Sequence, residues 1–455
     1  MTVIMSVYQH PHFRIRKWFA FLSVMLVFPL LISACLPLKT FMDRNPISAL
    51  IRPSIGLIAY AGTDGNIYTV DLDGQNLHPV TNDARMPAGS DTEGRFYGFP
   101  TWSPDGHRLA FIATSRSSIS TSTVSLYTAG PGRGNPLEVF SSQKQVPFYL
   151  YWSPDSQYLT FLTSGEGNDL FLQMVPADGG EVQILEKGQP FYWDWSPDDQ
   201  RIFIHTGGAA SLRPDARLSF LNLNEQVNEQ KLDLRPASFQ APAWSPDGSE
   251  LLLAAQVDGE QDALLLIDNQ GTVERTLVKT HGAIAFAWSP DGSKFAYILD
   301  TNSGAPILSS PLSVIDPDRP EQPVTTLDDH VIAFFWSPDG RKIAYFVPVL
   351  ESPADEQVQF GQPEAAFRLS LRVLDISTAE AQELALFVPT GQFLNILPFF
   401  DQYHRSATIW SPDSQHIVYS ALEAHIGSGI YTVRASGDHP PNRIAIGDLA
   451  FWSWK

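Results

Sequence analysis

Seven W-S-P-D strings along one chain, an apolar or aromatic run ahead of each, and two chain ends that each hold part of a further repeat predict an all-β protein, a single closed β-propeller. The strings are WSPDG at Trp102, Trp244, Trp288 and Trp336, WSPDS at Trp152 and Trp410, and WSPDD at Trp195. An eighth Trp-Ser pair stands at Trp452-Ser453. Successive tryptophans lie 42 to 50 residues apart, except for 74 residues between Trp336 and Trp410. The shorter spacings suit one blade of four short strands, and the longest marks an insertion. Eight positions predict eight four-stranded blades, with seven as the alternative because the long interval shows irregularity.

Each repeat gives its strands in the same order. An innermost strand such as Ile284-Ala285-Phe286-Ala287-Trp288 leads into Ser-Pro-Asp-Gly. There Pro sets φ, Asp accepts local hydrogen bonds and Gly takes the left-handed position of a tight hairpin. Ser156, Asp199 and Ser414 replace that glycine and make a less ideal turn. A second strand follows, as in Lys294-Phe295-Ala296-Tyr297-Ile298, then third and fourth strands such as Ala263–Ile267 and Val273–Leu277. The repeat tryptophans are expected to pack between blades. Residues 57–81 supply a second, third and fourth strand without a first, and 449–455 supply a first strand with nothing after it. Joined, they make one blade, so the C-terminal strand is expected to close the first blade without leaving open sheet edges.

The segment ahead of the repeats reads differently. Arg14, Arg16 and Lys17 precede an uncharged run from Trp18 to Ala34 that ends in Leu31-Ile32-Ser33-Ala34-Cys35. Basic, apolar and small-residue regions in that order read as a secretory signal over 1–34. The ending resembles the bacterial lipoprotein box, which makes Cys35 the expected lipid attachment site and 35–56 a tether before a propeller over 57–455. An uncleaved membrane anchor with an incidental cysteine is the other reading, and Met5 is a second candidate start. Either way the folded part is expected outside the cytoplasm, at the cell membrane or outer membrane. Cys35 is the single cysteine, so no intramolecular disulfide is available to the fold.

The formal net charge of −19 becomes −22 once the three basic residues of the leader are removed. Such a surface repels phosphates, so nucleic acid and anionic headgroups are poor partners. No G-x-S-x-G, H-E-x-x-H or P-loop motif occurs, and no cofactor is expected.

Repeats built on W-S-P-D-G, a following strand of the Phe295-Ala296-Tyr297 kind and Ile67-Tyr68-Thr69-Val70-Asp71 resemble the TolB-type propeller family, a relative of WD repeats. The resemblance covers 57–455 and implies a propeller. No counterpart of the globular N-terminal domain of TolB and no hydrolase domain of the prolyl-oligopeptidase kind is expected, and with them no role in the Tol system.

Function is expected on the loops. The long segments 82–96, 114–122, 300–310, 348–366 and 388–404 fall on second-to-third and blade-to-blade connections, one face of the ring. Phe393, Phe399, Phe400 and Tyr403 in 388–404 offer aromatic area for a partner, or fold over their own blade. His281, His330 and His404 precede their tryptophans by seven, six and six residues. They either brace loops or converge on a metal with Asp328 and Asp329. Asp194, an acid inside an innermost strand, bonds to a neighbouring blade or faces the channel. The Asp71-Leu72-Asp73-Gly74 stretch lacks the remaining ligands of a calcium loop and reads as a turn. The expected function is binding of an envelope protein, peptide or glycan through the loop-rich face, as a monomer. The alternative is a propeller hydrolase, lyase or cyclase with a metal or acid site at the channel mouth.

Overall fold

A computed structural model describes residues 56–86, 93–117, 122–131, 135–165, 169–209, 213–224, 226–237, 240–258, 261–299, 309–350 and 367–455. Cys35 and the leader lie outside the described residues, as do 87–92, 118–121, 300–308 and 351–366 within the long segments. Among the described residues no helix is long and apolar enough to cross a membrane.

The strands assemble into antiparallel sheets in chain order. Sheet 1 holds Ile58–Ala61, Ile67–Val70 and His78–Pro79, with the C-terminal Leu449–Trp452 along its inner side. Sheet 2 holds Gly94–Trp102, Leu109–Arg116, Ser122–Ala129 and Leu137–Ser142. Sheet 3 holds Val146–Trp152, Tyr158–Ser164, Leu170–Pro176 and Gln183–Gly188. Sheet 4 follows with Phe191–Trp195, Arg201–Thr206, Arg217–Asn222 and Asn228–Lys231. Sheet 5 is Ala243–Trp244, Glu250–Val257, Gln261–Asp268 and Val273–Thr280. Sheet 6 is Ile284–Trp288, Phe295–Leu299, Ser310–Ile315 and Thr325–Val331. The last sheet has seven strands, Ala333–Trp336, Lys342–Leu350, Phe367–Asp375 and Glu380–Pro389, then His416–Glu423, Gly427–Arg434 and Asn442–Ala445.

Burial explains which strand goes where. Phe191–Trp195 and Ile284–Trp288 are buried at every position, as strands covered on both faces must be, and Asp194 is the one charged residue among them. Thr325–Val331 alternates between exposed and half-buried positions until its last residue, as expected of a strand with one face in water.

Indole N–H groups tie one first strand to the next. Trp152 Nε1 donates to the carbonyl of Thr101, Trp288 to Ala243, Trp336 to Ala287 and Trp410 to Phe335, at 3.0–3.2 Å. Trp102 donates to Phe451 at 3.1 Å, so the C-terminal strand is part of the same succession. In each case the acceptor is the residue just before the preceding repeat tryptophan. A side chain that packs and also donates across the interface explains why the position holds Trp.

The W-S-P-D turn is held by its own side chains. Ser103 Oγ donates to Asp105 Oδ1 at 2.6 Å and accepts from the N–H of Arg108 at 2.9 Å, while Asp105 Oδ1 accepts from the N–H of His107. The same Ser-to-Asp bond recurs at Ser153, Ser196, Ser245, Ser289, Ser337 and Ser411. Ser156, Asp199 and Ser414 adopt φ of 62°, 61° and 60°, where glycine is usual. Their side chains accept the N–H of Asp105, Asp155 and Asp339, the acids of the preceding repeats. This bond between sheets offsets the strain of the left-handed conformation.

Candidate functional site

The first strand expected before Trp410 is cut in two. Val388 and Pro389 pair with Leu422 and Ala421, and the N–H of Thr390 donates to Ser420 O. The pairing resumes with Val418 N–H on Ile409 O and the bridge of Trp410 to Ile417. Residues 391–407 are therefore inserted in mid-strand. The two halves of the seven-stranded sheet are joined by Glu380–Pro389, which pairs on both sides, and the insertion after it accounts for part of the 74-residue interval.

The insertion is helical: α1 (Gly391–Ile396), a 3-10 turn (Leu397–Phe399) and α2 (Phe400–Tyr403). Thr390 starts it, accepting from the N–H of Phe393 and donating to Asp448 O at 2.6 Å. Phe393, Ile396, Leu397 and Phe400 are buried, with Phe400 against Phe334 at 4.8 Å between ring centroids and Phe393 against Phe346 at 5.5 Å. The polar groups reach first strands of several sheets. Tyr149 Oη of sheet 3 donates to Gln402 O at 2.7 Å, and Asp401 Oδ2 accepts the N–H of Ala241, ahead of sheet 5, at 3.1 Å. Arg405 grips Asp194 of sheet 4 through Nε and Nη2, both at 3.2 Å. Thr408 bonds Trp452 in both directions, its carbonyl accepting the N–H at 2.7 Å and its hydroxyl donating to the carbonyl. One segment touching so many first strands occupies the axis on which they converge.

Below the insertion a cavity of about 360 Å³ opens on the side of the W-S-P-D turns. Its walls include Trp244, Trp288, Trp336 and Trp454 with the turn prolines, and its inner end is His404, Arg405 and Ala407. The Arg405 side chain is 36% exposed whereas Asp194 is 3% exposed, and Arg405 lines this cavity.

A solved structure shares this architecture. A dihydro-heme d1 dehydrogenase, NirN, solved in complex with DHE, is 14% identical with a TM-score of 0.51, over 88% of this chain and 76% of that chain. The fold is a β-propeller. TolB from Acinetobacter baumannii is 14% identical over 74% of this chain and 81% of its own, with a TM-score of 0.33. A putative TolB from Agrobacterium tumefaciens is 16% identical over 83% and 98%, with a TM-score of 0.36. At 14% identity the likeness to NirN speaks for the fold alone. No family model matches the chain, and no curated protein matches it in sequence.

The propeller rearranges the site residues expected from the sequence. Of the four aromatics offered for a partner, Phe393 and Phe400 are core, Tyr403 is half-buried against Tyr149, and Phe399 alone is largely exposed. They hold the insertion in the channel, so they do not form one recognition surface. The three histidines do not converge: His281 and His330 are exposed, His404 sits in the insertion, and no metal-binding cluster exists among the described residues. Asp329 instead accepts from Arg372 and Tyr345. Asp194 meets the first expectation, accepting the N–H of Trp244 from the next blade at 2.9 Å, and not the second: it is buried, with its carboxylate held by Arg405. Asp71 accepts from the N–H groups of Asp73 and Gln75, as a turn acid does.

Two groups of the insertion titrate against each other. Burial pushes the Asp401 carboxyl up to about 6, in spite of the N–H of Ala241. Burial, then the charge of Arg405, pushes His404 down to about 3. An unfolded Asp releases its proton near ~3.9, so as pH rises from about 4 to about 6 the folded state loses about 3 kcal/mol through Asp401. An unfolded His gains a proton near ~6.5, so as pH falls below that value the folded state loses about 1.4 kcal/mol per unit through His404. The slopes oppose each other between about pH 4 and 6. Asp401→Asn should therefore make stability fall steadily with acid from about pH 6.5, and His404→Gln should make it fall as pH rises from about 4 to 6. Urea melts of both variants across this range check the signs; parallel profiles would refute the pairing.

Proposed function

We propose that this protein is an exported, lipid-anchored propeller of eight four-stranded blades, closed by its C-terminal strand, that serves as a binding module outside the cytoplasm. Cys35 carries the lipid, and the partner is a protein, peptide or glycan of the cell envelope. The recognised part of that partner enters the channel from the W-S-P-D side, the face opposite the long connections. The observation that carries this reading is the cavity of about 360 Å³, built by the repeat tryptophans and prolines and ended by the insertion. Its size and its largely apolar walls with a few polar groups, Arg405 among them, are those of a ligand site.

N-phenyl-1-naphthylamine, an uncharged fluorophore of suitable size, tests it. Saturable binding at one site is expected, lost when the exposed mouth residues Pro290 and Pro338 are both changed to Trp. Absence of saturable binding, or equal binding by the blocked variant, rejects the cavity as the site.

A further inference from the structure

The donors at the inner end of the cavity are unevenly used. A guanidinium carries five N–H groups in a planar fork. Asp194 takes Nε and one hydrogen of Nη2, and no other described group bonds Arg405. The Nη1 edge is left for whatever fills the cavity. The indoles of Trp288, Trp336 and Trp410 already donate to backbone carbonyls, the indole N–H of Trp244 is buried, and His404 Nδ1 is bonded to Asp401 O, so these tryptophan walls offer flat apolar faces.

Charge narrows the choice. Among the described lining residues Arg405 carries the one formal charge, and Asp194 beside it cancels that charge. A carboxylate or phosphate on the Nη1 edge would leave an uncompensated anion inside an apolar enclosure. The net charge of −19 adds repulsion on approach. A carbonyl dipole satisfies the same N–H groups without that penalty.

We propose that the cavity takes an uncharged, largely apolar group bearing one acceptor oxygen, an amide or ketone carbonyl, which accepts from Arg405 Nη1 while flat rings pack against the tryptophan and proline walls. This rests on the cavity being the ligand site.

The test uses two isosteres on the full chain at neutral pH, indole-3-acetamide and indole-3-acetate, each displacing N-phenyl-1-naphthylamine. The amide should bind about ten-fold more tightly than the acid, the penalty for a buried unpaired charge exceeding any gain from Arg405. The double variant R405M/D194N removes the fork without stranding a charge. There the amide should lose most of that advantage while the fluorophore still binds. Equal or tighter binding of indole-3-acetate overturns the proposal, as does an amide affinity unchanged in the double variant. Failure of the fluorophore itself to bind would reject the site along with it, and so separates the two conclusions.

Discussion

Removal of Leu449–Lys455 should cause aggregation or a large fall in melting temperature, because a strand in the middle of a bonded network disappears. Leu449–Trp452 pairs with Ile58–Ala61 in the register Ile58 to Trp452 and Ala61 to Leu449. Its other side accepts the indole N–H of Trp102 at Phe451 O and donates from Trp452 N–H to Thr408 O. Leu57 and Ser453 exchange two further bonds, at 2.8 and 2.9 Å. Deletion strips partners from three neighbouring segments and exposes Ile58–Ala61 as an open edge, the condition that invites pairing between chains. Trp452→Ala isolates the packing contribution. The side chain is 0% exposed, and truncating a buried Trp costs about 3–5 kcal/mol, a large part of an ordinary domain's stability. Trp452 Nε1 has no acceptor among the described residues, so Trp452→Phe should cost clearly less than Ala. Calorimetry with size-exclusion chromatography checks the order; an unchanged melting temperature in the deletion would show that the strand contributes nothing to the fold.

The repeats were legible because one local device recurs. Ser and Asp hold a single turn through bonds that span at most five residues. The placement of the last strand was legible from the phase of the two ends. What could not be read is the insertion. The interval from Trp336 to Trp410 shows that residues were added but not that they break a strand, because the halves at Val388–Pro389 and Ile409–Trp410 match different parts of the same partner. Helical segments of six and four residues leave too short an apolar period to detect. Asp194 drew notice as an acid within an apolar strand, whereas Arg405 looks ordinary in sequence. Its meaning comes from a partner 211 residues away. The sequence therefore points to the loop-rich face, whereas the cavity proposed as the site lies on the turn side.

Arg405→Met alone should destabilise the protein by about 3–5 kcal/mol, because it leaves a buried carboxylate without its counter-charge. Burial already pushes the Asp194 carboxyl up, with the bonds from Arg405 and from the N–H of Trp244 acting against that rise. Without Arg405 the rise grows. A carboxyl raised in the folded state stabilises below its folded value and is lost as pH climbs through it, so the variant should regain stability in acid and fall away towards neutral pH. Asp194→Asn should be milder, since an amide oxygen still accepts from Trp244 and Arg405 lines the cavity, where water reaches it. The pair R405M/D194N should then be more stable than Arg405→Met alone, by most of the single loss, because no charge is stranded. Urea melts of the four proteins at neutral pH form the cycle. If the double variant is no more stable than Arg405→Met, the cost lies in the packing of the insertion and not in the ion pair that fixes it to the fourth blade.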